Sequence, residues 1–142
     1  MGVQRLALGL LMASLSLPVQ ATPVPRYGLL VFSSLCRDRM TSDLIGGRLV
    51  LVRLPLHDVG HLEWSDGSLS SAPLLDLRID DKTSKISFRY LRDYDDASGK
   101  SNVMKSVTGT VDDESVGLAL RNEKPFRLPR LRNIEQKLPI CR

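Results

Sequence analysis

Period-two alternation between turn residues constrains the fold of this chain more than any other feature. Leu75, Leu77 and Ile79 fall on one side of an extended segment, and Asp76, Arg78 and Asp80 on the other. Ile86, Phe88 and Tyr90 answer from the next segment, with Lys85, Ser87 and Arg89 opposite. Side chains alternate between the faces of a strand, so the pattern predicts two half-buried strands. Asp80-Asp81-Lys82-Thr83-Ser84 joins them as a hairpin turn. The grammar recurs downstream. Val107, Gly109 and Val111 alternate with Ser106, Thr108 and Thr110, Asp112-Asp113-Glu114-Ser115 turns the chain, and Val116, Leu118 and Leu120 return inward. Both hairpins place Asp-Asp just after an inward β-branched residue, which reads as shared turn chemistry rather than an internal repeat.

The other segments read as short strands too. Residues 27–33 are apolar on both faces and are expected to be covered on both sides. Residues 37–43 form a polar loop, and Ile45-Gly46-Gly47 breaks the chain. Residues 48–54 carry the strongest strand signal. Leu49 and Leu51 face one way, Val50, Val52 and Leu54 the other, and Pro55 ends the run. The outer face of this strand needs cover from the chain's own loops or from a partner. Residues 57–64 are a weaker strand, with Leu62 and Trp64 on one face and His61 and Glu63 on the other, before a turn at 65–68. Residues 92–102 read as an exposed mobile loop. Residues 126–131 read as a last strand that Pro129 confines to an edge or a bulge, and 134–137 as a helical turn.

No segment sustains a helical period. About eight strands in sequential hairpins predict an all-β chain, as a small antiparallel barrel or alternatively a two-sheet sandwich. Closure is favoured because it removes exposed edges. The general look resembles small lipocalin-like or lysozyme-inhibitor-like barrels, but no motif is specific enough to name a family.

Residues 1–21 have the layout of a secretory signal peptide. Arg5 precedes an uncharged run from Leu6 to Leu17, Pro18 breaks it, and Val19-Gln20-Ala21 suits a signal peptidase. The run is too short to span a bilayer, which takes roughly 20 apolar residues. The expectation is a periplasmic or secreted domain over 22–142 with no transmembrane segment after cleavage. That address makes Cys36 and Cys141 a predicted disulfide, because an oxidising compartment and an even cysteine count favour pairing.

Candidate chemistry is sparse. His57, His61 and Glu63 are the one metal-like cluster and the basis of an alternative reading as a small metal-dependent hydrolase. Spacing of four in loop and strand defines no common face, so no metal, cofactor or catalytic residue is expected. Both Cys residues are consumed by the disulfide, and no nucleophile elbow occurs. The segment 121–142 is basic, and Arg127, Arg130 and Arg132 within it are candidate binding residues for an anionic partner. Phe126 is the sole aromatic residue there, so no stacking platform for nucleic acid appears. Trp64, the lone tryptophan, is a further candidate contact. The leading expectation is a non-catalytic binding protein acting through its surface. Its partner would be another exported protein, as for an inhibitor, immunity or escort factor, or an anionic envelope component. The alternative is a carrier holding a small apolar ligand in its interior. The crowded set of large inward residues weighs against a carrier.

Overall fold

The computed structural model describes residues 23–95, 99–133 and 137–141. The leader expected over residues 1–21 lies outside them, as do residues 134–136 of the expected helical turn. Ten strands are formed: β1 (Gly28–Ser33), β2 (Cys36–Arg37), β3 (Leu44–Arg53), β4 (Asp58–Gly67), β5 (Leu69–Pro73), β6 (Leu75–Asp80), β7 (Lys85–Asp95), β8 (Lys100–Val111), β9 (Ser115–Leu120) and β10 (Phe126–Pro129). No helix occurs among the described residues.

The strands make two five-stranded antiparallel sheets. The first runs β1-β3-β4-β5 with β2 also on β3, and the second runs β10-β9-β8-β7-β6. The expected barrel is therefore not closed by a continuous ladder among the described residues, and a sandwich-like arrangement is compatible with the pairing. The two sheets do meet at both sides. Phe32 and Arg130 form an isolated bridge, and the Leu131 N–H donates to the Val31 carbonyl at 2.7 Å. Across from this, Leu74 links β5 to β6 and donates its N–H to the Gly60 carbonyl at 2.9 Å.

Inward residues of both sheets fill the space between them. Phe32, Leu49, Leu51, Ile86, Leu118 and Leu128 are among the fully buried side chains. Each contributes about 1.5–3 kcal/mol of burial free energy relative to exposure. The turns have the chemistry that their aspartates suggest. Asp80 Oδ1 accepts the N–H of Lys82 at 2.9 Å, and Asp112 Oδ1 accepts those of Glu114 and Ser115 at 2.8 and 2.7 Å.

Several expectations are corrected. Ile45-Gly46-Gly47 does not break the chain, because β3 runs straight through it. The break falls on the neighbouring strand, between β1 and β2. Gly46 has φ +112°, and a Cβ there would sit 2.5 Å from the Ser34 carbonyl oxygen. Only glycine lets the two backbones approach so closely. β4 continues to Gly67 where a turn is expected from residue 65, and β5 was not anticipated. Its serines and single alanine carry too little apolar signal for a strand, although Ala72 is buried. Leu75 is exposed rather than inward. The register of β6 against β7 shifts between Leu75 and Arg78, and Asp76 takes φ +51°. A bulge there flips the face of every residue before it. β1 is not covered on both sides, since Leu29 is 49% exposed. The expected loop at 92–102 is mostly strand, as β7 reaches Asp95 and β8 starts at Lys100. Cross-strand pairing holds polar residues in a ladder that sequence periodicity does not announce.

Candidate functional site

Cys36 and Cys141 are brought to disulfide distance, with their Sγ atoms 2.08 Å apart. The backbone supports the pairing. Arg37 N–H donates to the Pro139 carbonyl at 2.8 Å, and Cys141 N–H to the Arg37 carbonyl at 2.9 Å. The pair is consistent with an oxidising compartment. Among the described residues no helix is long and apolar enough to cross a membrane.

The three candidate arginines of the basic segment do not form one free cationic patch. Arg132 Nη2 donates to Asp113 Oδ2 at 2.8 Å and Glu114 Oε1 at 2.5 Å. Those hydrogen bonds, Asp113 first, hold the Arg132 pKa above its ordinary value. Arg127 donates to the Ser115 hydroxyl from Nε and Nη2, at 2.8 and 2.5 Å. Arg130 turns toward the core. Its guanidinium carbon lies 5.4 Å from the Phe32 ring centroid, and Nη2 donates to the Leu29 carbonyl at 3.2 Å. Its Nε and Nη1 are buried without an acceptor among the described residues. Burial pushes the Arg130 pKa down, against the opposing field of Asp113 and Glu114. The acidic turn between β8 and β9 thus compensates much of this strip.

His57, His61 and Glu63 are not assembled. His57 precedes β4, while His61 and Glu63 share its outer face. Glu63 is engaged by Arg48, whose Nε donates to its Oε2 at 2.6 Å. No group of three or more His, Cys, Asp or Glu residues among the described ones is placed to hold a metal ion.

Trp64 lies at one end of the core, half-buried, with its ring centroid 5.4 Å from that of Tyr90 across the two sheets. Its cross-strand partner is Gly47. Gly47 occupies the inward row of Leu49 and Leu51 but has no side chain to fill it. A cleft of about 280 Å³ results, lined among others by Leu62, Trp64, Tyr90, Leu120 and Phe126. Sequence reading found Trp64 but not this set, and the inward register of Gly47 on β3 is the signal that could have revealed it.

The outer face of the first sheet is the other notable feature. The register aligns Leu29 with Val52 and Val52 with Val59. Leu29 and Val59 are 49% and 41% exposed, and Val52 is half-buried between them. This is the outer face of the strand that the sequence predicted would need cover. On this face Arg48 pairs with Glu63, while Arg53, next to Val52, points to the inner side and is held by Asp58 and Asp81.

Two antiparallel sheets, with a disulfide holding the segment after β10 against β2, define an all-β chain and no more specific class. Comparison with protein-family models, with curated proteins and with solved structures found no match.

Proposed function

We propose that this chain is an exported, non-catalytic binding protein that acts through its surface on another periplasmic or secreted protein. The Leu29–Val52–Val59 row on the outer face of the first sheet carries this reading. Contiguous exposed apolar rows on a soluble domain mark interaction surfaces more often than scattered single residues do. A protein partner suits the face better than an anionic envelope polymer, because Arg48, the arginine of β3 on that face, is already paired with Glu63. The packed interior supports surface binding over a carrier role, whether the two sheets act as a sandwich or as a closed barrel. Residues 1–21 would direct export and be removed.

The test is capture from periplasmic extract by the chain lacking residues 1–21, compared with its Val52→Lys and Val59→Lys variants. A single stoichiometric protein, lost with both variants, is the expected result. Charge reversal at Arg132 should affect capture less, since its guanidinium is held by Asp113 and Glu114. Capture that survives Val52→Lys, or no stoichiometric partner at all, would overturn the proposal.

A further inference from the structure

We propose that the cleft under Trp64 binds a small planar aromatic molecule of one or two fused rings. Three aromatic rings from three strands converge on it: Trp64 of β4, Tyr90 of β7 and Phe126 of β10. Gly47, beside Trp64 on the same face of the first sheet, leaves the space next to the indole open. Its own Cβ, if present, would meet only the Glu63 carbonyl oxygen at 3.6 Å and Leu128 Cδ2 at 3.7 Å, both ordinary contacts. The space there is genuine room, not a close backbone approach.

Size and charge narrow the ligand. The cleft measures about 280 Å³, just below the ~300 Å³ at which drug-sized pockets begin. An apolar cavity of ~150 Å³ already holds benzene. One ring fits easily and two fused rings fit. The tilted rings of Trp64 and Tyr90 offer the edge and face contacts that aromatic partners favour. The carboxylates at the rim are both engaged, Glu123 by Arg92 at 3.7 Å and Lys105 at 3.5 Å, and Glu63 by Arg48, so nothing there calls for a cationic ligand. The wider cleft of about 470 Å³ beside the disulfide-tethered segment has no aromatic ring among the described residues that line it. This proposal does not rest on the apolar row of the first sheet, which lies on the sheet's other face.

Trp64 is the sole tryptophan of the chain, so its emission reports the site directly. The full folded domain is titrated with 7-hydroxycoumarin in its neutral form, with toluene, which neither absorbs nor emits where Trp64 is read, as competitor. Saturable 1:1 quenching of Trp64, relieved by toluene, is expected. Gly47→Leu should weaken binding at least tenfold while the protein remains folded, because the new side chain occupies the cleft. Val52→Lys should bind as the wild type does. If Gly47→Leu fails to fold, Gly47→Ala and Phe126→Ala are compared instead, and each should weaken binding severalfold. The proposal is overturned by non-saturable quenching, by undiminished binding in the Gly47 and Phe126 variants, or by loss of binding in Val52→Lys with Gly47→Leu unaffected.

Discussion

Arg53 Nη2 donates to Asp81 Oδ1 at 2.9 Å, joining the end of β3 in one sheet to the β6–β7 turn of the other. The same guanidinium donates through Nε to Asp58 Oδ1, also at 2.9 Å, and its side chain is 5% exposed. Burial alone pushes the Arg53 pKa down, but the hydrogen bonds to Asp81 and Asp58 together outweigh it and hold the group charged. One side chain thus closes this end of the core and ties the two sheets together there.

Removing it should therefore be costly. Arg53→Met keeps the apolar stem but strands Asp58, which is largely buried. Losing one partner of such a hydrogen-bonded pair costs about 2–4 kcal/mol. Urea unfolding should show this as a lower midpoint. A change as small as that of an exposed pair, such as Arg89 with Asp76, would show that the contact contributes little.

The disulfide should matter comparably. It closes a sequence separation of 105 residues, for which the chain-entropy model gives about 4–5 kcal/mol. Thiol titration of the denatured, unreduced chain should find no free thiol. The Cys36→Ser, Cys141→Ser double variant should melt well below the wild type, and two free thiols per wild-type chain would contradict the pairing.

The first hairpin of the second sheet tests the packing register. Phe88 is 3% exposed, and truncating a buried Phe costs about 3–5 kcal/mol. Arg89, next along, is exposed and paired with Asp76, and exposed pairs contribute about 0–1 kcal/mol. Phe88→Ala should lower the melting temperature by many degrees and Arg89→Ala by few. Equal losses would place the wrong residue inward.

Acid sensitivity should come partly from the turns. Thr41 N–H, then Met40 N–H, hold the Asp38 carboxyl below its ordinary pKa. The Thr83 side chain, then the N–H groups of Lys82 and Thr83, do the same for Asp80. A carboxyl whose folded pKa is depressed stabilises the fold above its unfolded value of about 3.9, and that contribution is lost as pH falls through the folded value. The melting temperature should therefore decline below about pH 4, and less steeply in the Asp38→Asn, Asp80→Asn double variant, whose side chains accept the same bonds without titrating. Parallel declines would assign the acid sensitivity elsewhere.

Local pattern carried much of this fold. The alternation of residues 85–90 and 107–120, the aspartates that begin the turns, and the even cysteine count were all legible, because each depends on neighbours a few residues apart or on simple parity. What escaped was non-local. Gly46 reads as a breaker, yet its positive φ serves a close approach to Ser34 in the break between β1 and β2, and β3 continues through it. Leu75 reads as inward until the bulge at Asp76 reverses its face. Arg132 reads as a free cation, whereas the β8–β9 turn places Asp113 and Glu114 against it. Trp64 stood out by composition alone, but the cleft beneath it exists because the β3–β4 register sets it opposite Gly47 and the packing of the two sheets brings Tyr90 to it. Sequence determines which face of a strand is apolar. Tertiary structure decides which strand, which sheet and which charge that face meets, because pairing partners distant in sequence leave no mark on local periodicity.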